Sequence, residues 1–130
     1  MSTIKNAVDD LLTPQVPIQE AMDRHFAPDF RQRVNGNWID RTAFLDGMVR
    51  LRQALKQAKI TVIDEVATEE LYAERHVVDL VMHDGARVLQ EVYVFAQRGS
   101  DGRFVRIEEA TVALGDELSA SQNTMASTKI

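Results

Sequence analysis

Apolar residues recur at helical spacing in the first part of the chain and at strand spacing in the second. Ile4, Val8, Leu11 and Leu12 fall on one helical face, with Ser2 or Thr3 as the cap and Pro14 as the stop. Pro17 opens a second helix whose stripe is Ile18, Met22 and Phe26, and Pro28 ends it. "DFRQRV" then reads as a short strand running into "NGNW", a turn signal. Asp40 is placed to N-cap a third helix with the stripe Phe44, Met48, Leu51 and Leu55, widened by Leu45 and Val49. From Lys59 the period becomes two, in four runs: "KITVIDEVA", "LYAERHVVDLVM", "RVLQEVYVFAQ" and "RFVRIEEATVAL". "HDGA" at 83–86 and "GSDG" at 99–102 are hairpin signals between them. Helices followed by an antiparallel meander predict an α+β domain over residues 1–114, with three helices on one face of a curved sheet. The small, polar stretch 115–130 is expected to be a flexible or loosely attached tail.

Alternation also sorts the side chains. On the last strand Val105, Ile107, Glu109, Thr111 and Ala113 share one face, and Phe104, Arg106, Glu108, Ala110 and Val112 share the other. The adjacent glutamates therefore point opposite ways. Glu74, His76, Val78, Leu80 and Met82 lie together on the strand before "HDGA", and Glu91, Tyr93 and Phe95 lie together on the next. The bulky sets, holding His76, Tyr93 and Glu109, are expected on the side of the helices. Strands apolar on both faces need both faces covered. That predicts a homodimer through the opposite face, with Glu108 paired there to an arginine such as Arg75 or Arg106.

Composition narrows the class. The chain has no cysteine, which removes disulfides and thiolate metal sites. A formal charge of −5 argues against nucleic acid as a partner. The opening residues lack the pattern of a signal peptide or membrane span, so the expected location is the cytoplasm, with no membrane partner. His25 and Asp29 are four apart, but Pro28 between them spoils the helical geometry a metal would need, and no metal or other cofactor is expected. His83 sits in a hairpin turn and reads as surface.

"HFAPDFRQRVNGNWIDRTAFLDGMVRLRQAL", followed by the meander and "EVYVFAQRGSDGRFVRIEE", resembles the SnoaL-like branch of the nuclear transport factor 2-like superfamily over about residues 1–114. The resemblance implies a cone-shaped α+β barrel, cystatin-like in layout, in which a strongly curved, mostly antiparallel sheet wraps helices around an apolar pocket. It also implies a dimer. Polyketide cyclases, ketosteroid isomerases, dehydratases and non-catalytic binding modules share this fold, so fold alone does not choose among them. Similarity to the isomerases implies that His76, Tyr93, Ile107, Glu109 and Thr111 face the pocket, with Tyr93 where those enzymes hold an oxyanion donor. Their general-base aspartate falls near the end of the first strand, where this chain has Arg33, Val34 and Asn35. That departure argues against steroid isomerase activity. The cyclases' late-strand acid–base aspartate has Glu109 as its nearest analogue.

The expected site thus has Glu109 moving the proton, Tyr93 stabilising an oxyanion and His76 orienting or relaying. Arg33, Trp38, Glu91, Phe95, Ile107 and Thr111 are expected ligand contacts, with Trp38 closing the mouth. Five of these have a structural alternative: Glu109 paired by Arg33 or a backbone donor, His76 bonded to Tyr93, Tyr93 a core aromatic with its hydroxyl satisfied by a neighbour, Trp38 anchoring its loop, and Glu91 solvated near its strand end. The expected function is a pocket for a hydrophobic small molecule, with cofactor-independent acid–base chemistry (cyclisation, isomerisation or dehydration) on a carbonyl compound. The alternative is a ligand-binding or dimerisation module without chemistry.

Overall fold

A computed structural model describes residues 1–114, so the expected tail at 115–130 lies outside the described residues. Helix α1 spans Ile4–Leu12, and its N-cap is Thr3, whose Oγ1 accepts the Asn6 N–H at 3.2 Å. Helix α2 spans Ile18–His25 and starts directly after Pro17. It stops before Phe26, not at Pro28, because a residue preceding proline is driven into the extended region and Ala27 already occupies that position. Phe26 therefore opens strand β1, Phe26–Val34. Pro28, which has no N–H to give a ladder, sits where the pairing of β1 slips between Phe26 and Arg31.

Asn35 and Gly36 have φ of 48° and 91°, the left-handed pair that a two-residue hairpin turn demands. They lead into a strand that the sequence pattern did not announce: β2, Asn37–Asp40, exposed along its whole length. Asp40 caps helix α3, Arg41–Ala54, by accepting the Ala43 N–H at 2.9 Å. Leu55, expected in the helical stripe, instead begins strand β3, Leu55–Ala67. Strands β4 (Leu71–Met82), β5 (Arg87–Arg98) and β6 (Phe104–Ala113) complete one six-stranded sheet, ordered β2-β1-β6-β5-β4-β3. All neighbours are antiparallel except β1 and β6. The parallel pair brings residues near the two ends of the domain side by side, and it places Gln32 opposite Ile107 and Val34 opposite Glu109.

The helices cover one face. Phe26, Phe30 and Phe44 meet edge-on or tilted at centroid distances of 4.7–5.1 Å, and Tyr72 and Phe104 continue the cluster at 5.8 Å. Ile4, Ala7, Leu11, Ala21 and Met22 bring α1 and α2 down onto it. Burying side chains of this size stabilises the fold by about 1.5–3 kcal/mol each before conformational entropy is charged. Arg52, in the last turn of α3, donates to the carbonyls of Asp10, Leu11 and Val16 at 3.1, 2.8 and 2.7 Å. These carbonyls end α1 and its connection to α2, where helical partners run out. Arg52→Ala should therefore lower the unfolding free energy by about 3 kcal/mol in urea titrations. A loss below about 1 kcal/mol would show that the clamp is ornamental.

Candidate functional site

Beneath the helices the sheet leaves a hollow of about 240 Å³. Leu11 and Val8 of α1, Phe44, Met48 and Leu51 of α3, and Ile60, Val78, Leu80, Val92 and Ile107 of the sheet make most of its wall apolar. Gln32, His76, Gln90, Glu109 and Thr111 are its polar lining. A largely apolar enclosure with a few convergent polar groups is the usual form of a ligand site.

Register decides which side chains reach it. His76 of β4 lies opposite Val92, which lies opposite Thr111; Glu74 lies opposite Val94, which lies opposite Glu109. Directly paired residues share a face, so His76, Glu74, Val92, Val94, Glu109 and Thr111 all belong to the inner side. Glu91, Tyr93 and Phe95 belong to the outer side, contrary to expectation. Two-residue alternation is correct on β5, but its phase is the reverse of the expected one: the small Val92, Val94 and Ala96 are buried where the helices pack close, while Tyr93 and Phe95 remain 45% and 47% exposed. Tyr93 thus stands across the sheet from Glu109 and His76 and is no donor to a ligand in the hollow. Arg33 also faces outward and reaches Glu108 at 3.3 Å. Trp38 pairs with Arg33 on the edge strand, 44% exposed, and packs under the Arg31 guanidinium at 4.3 Å rather than over the hollow. Phe104 departs from its expected face as well, because the ladder slips at Val105 and turns Phe104 into the core beside Ile107.

Of the expected residues, the hollow brings together Glu109, His76, Ile107 and Thr111. Gln32 and Gln90 also line it and were not expected, nor was Glu74, which does not line the hollow but supports His76. Gln32 donates its amide to Glu109 Oε2 at 3.1 Å. Glu74, its side chain completely buried, accepts from His76 Nδ1 at 2.6 Å, and its other oxygen has no partner among the described residues. Glu74 fixes the imidazole so that Nε2 is the nitrogen left for a ligand. Burial raises the Glu109 carboxyl above its ordinary value of 4.5; Gln32 and the nearby His76 pull the other way, and Glu74 adds to the rise. Glu109 keeps some accessible surface, and it borders a groove on the outer face of the sheet as well as the hollow.

Thr111 and Asn35 hold the turn after β1 against β6: the Asn35 amide donates to Thr111 Oγ1 at 2.9 Å, and the Thr111 N–H returns to Asn35 Oδ1 at 3.0 Å. His25 is occupied at both nitrogens, by Ser2 at 2.9 Å and Asp10 at 2.6 Å. Among the described residues no group of three or more histidine and acidic side chains is arranged for a metal.

The outer face has a wider, more open groove of about 540 Å³, bordered by Tyr93, Phe95, Arg33, Arg75 and Glu108. Its charges neutralise one another: Arg75 meets Asp64 at 2.7 Å and Glu91 at 3.3 Å, and Arg106 comes within 3.6 Å of Glu108. The pairing expected between Glu108 and Arg106 is thus present within one chain, shared with Arg33. The smaller inner hollow instead holds an acid and a buried imidazole on an apolar wall.

No family model matches the sequence, and neither does any curated protein. Solved structures do. A nuclear transport factor 2-like protein of unknown function from Exiguobacterium sp. 255-15 superposes with a TM-score of 0.68 at 18% identity, over 85% of this chain and 98% of that one. The chain has the nuclear transport factor 2-like fold. IdmH of Streptomyces antibioticus, a proposed polyketide cyclase, gives 0.62 at 17% identity over 97% and 98% of the two chains. A proposed isomerase from Rhodopseudomonas palustris gives 0.69 at 10% identity over 94% and 93%. At these identities the likeness establishes the fold alone, and the three helices on a six-stranded, mostly antiparallel sheet conform to it. No helix among the described residues is long and apolar enough to cross a membrane.

Proposed function

We propose that the inner hollow performs cofactor-independent proton transfer on a hydrophobic carbonyl compound, as an isomerase, cyclase or dehydratase does. The observation that carries this reading is the pairing pattern: Glu109 and His76 share an apolar wall without consuming each other. Glu109, raised by burial, is suited to hold a proton and present it to a ligand carbonyl. His76 Nε2, with Nδ1 held by Glu74, is suited to take a proton from the carbon beside that carbonyl. The enol so formed keeps Glu109's proton on oxygen; return of a proton to carbon and of the oxygen proton to Glu109 restores both groups. A module that only binds would be expected to have its polar side chains mutually satisfied, and here each keeps one atom free for a ligand. The fold's occurrence in a proposed cyclase and a proposed isomerase is compatible with this chemistry.

Solvent deuterium incorporation tests it without knowledge of the natural substrate. Incubated in D2O with a panel of enolisable cyclic ketones, the protein should exchange the carbon-bound protons of at least one member well above the buffer rate. His76→Gln should cut that exchange by about a hundredfold while near-ultraviolet circular dichroism stays unchanged. Equal exchange by the variant would remove His76 from the chemistry.

We further propose that the outer sheet face joins two copies of the chain. Tyr93 and Phe95 stand half-exposed in the middle of the sheet, among arginines and acids in alternation, which is a self-complementary surface.

A further inference from the structure

The same hollow also limits what can enter it, and this inference rests on the proposed proton-transfer role. Its 240 Å³ falls below the roughly 300 Å³ at which pockets for drug-sized ligands begin. Phe26 and Phe44, 5.1 Å apart, line it with rings that belong to the core and cannot swing aside without opening it. There is room for one or two fused rings and none for four.

Charge sets the second limit. Among the described residues that line the hollow there is neither lysine nor arginine. Its one side chain able to carry positive charge, His76, is already bonded by Glu74 at 2.6 Å. Glu109 is the acid on the wall, and Glu74, which does not line it, is buried with a spare oxygen that has no partner among the described residues. The arginines nearest in sequence register, Arg33, Arg75 and Arg106, serve Glu108, Asp64 and Glu91 outside. An anionic ligand would give up its hydration and find neither lysine nor arginine on the wall, only an imidazole already committed to Glu74, a loss that the enclosure does not return. A neutral ketone of the same shape gives up little and gains a hydrogen bond from Glu109.

We infer that the hollow selects an uncharged carbonyl compound of at most two fused rings, and rejects both carboxylates of the same size and tetracyclic ketones. The side-chain amides of Gln32 and Gln90, both lining the hollow, report occupancy in nitrogen–proton NMR spectra of the unaltered protein. Three probes suffice: 2-tetralone, tetrahydro-2-naphthoate as its anionic counterpart, and a tetracyclic enone steroid. The expected result is saturable movement of both amide signals with the tetralone, binding of the carboxylate at least about tenfold weaker near neutral pH, and no movement with the steroid. A carboxylate that binds as tightly as the ketone overturns the charge rule. A steroid that moves the same amides at comparable concentration overturns the size rule, and either result leaves the proton-transfer reading standing. If no probe moves either amide while the spectrum remains that of a folded protein, the ligand role of the hollow falls together with this inference.

Discussion

Glu109→Gln should make the protein more stable and inactive at once. The substitution keeps the shape of the side chain and an oxygen to accept the Gln32 amide, but it removes the ionisable proton. Because burial raises the folded-state pKa of Glu109 above its ordinary 4.5, protonation favours the folded state. The stability this supplies is complete below the unfolded-state value and is lost as the pH rises through the folded-state value. At neutral pH the wild-type chain therefore bears the strain of a desolvated acid, and the amide does not. A gain on the order of 1–2 kcal/mol at neutral pH is expected, shrinking toward zero or reversing near pH 4. Deuterium exchange into ketones should fall by a factor of about 10² to 10⁴. Thermal melts of both proteins across this pH range, beside exchange rates on the same samples, give both results. A variant that is less stable than wild type at neutral pH but equal to it in acid would mean that the Glu109 charge is satisfied, as in a structural ion pair.

Tyr93→Glu should break the proposed dimer into monomers. Tyr93 lies 45% exposed in the centre of the outer face, paired with Arg75 on one side and Ala110 on the other. At the middle of the proposed interface, of about 800 Å² per partner in a standard dimer, a new charge would meet its own copy across the two-fold axis and be desolvated there. A loss of about 3 kcal/mol or more in association is expected, roughly a hundredfold or greater in dissociation constant. Sedimentation equilibrium reads the change, with Phe95→Glu as an independent repeat two residues along the same face. Because neither residue lines the inner hollow, binding of 2-tetralone by monomeric variants should persist. Wild-type protein that sediments as a monomer at tens of micromolar would dispose of the dimer.

The sequence pattern and the structure agree where a local rule acts alone. Asp40 caps its helix, and the Asp-Gly hairpins join the strands predicted around them. They part where tertiary pairing decides. Alternation on β5 yields two sets of side chains, but both are apolar enough to be buried, and only the register of Val92 against His76 reveals which is inside. The expectation that the larger side chains face the helices failed because close packing there favours valine and alanine. The ladder slip at Val105 reverses Phe104 for a reason that no period-two count contains. Strand β2 is four residues long and wholly exposed, so it carries no hydrophobic signal at all.

The site was partly legible in the same sense. Glu109 and His76 could be placed on one face because each alternates with apolar neighbours on its strand. Glu74 stood on that face in the same alternation, two residues before His76, and this acid–x–histidine spacing on one strand face was the available signal for the Nδ1 bond. Gln32 alternates with the buried Phe30, but its meeting with Glu109 depends on the parallel pairing of β1 with β6 across most of the domain, and local sequence does not encode that contact.

The titration of the Glu109 carboxyl bears most directly on this account. Protein labelled with carbon-13 at the glutamate side-chain carboxyl, with the Glu109 signal assigned by its loss in Glu109→Gln, can be followed by NMR from acid to neutral pH. A midpoint above the ordinary 4.5 is expected, rising further when a neutral cyclic ketone fills the hollow and displaces water. A midpoint at or below the ordinary value, unmoved by such a ligand, would contradict it.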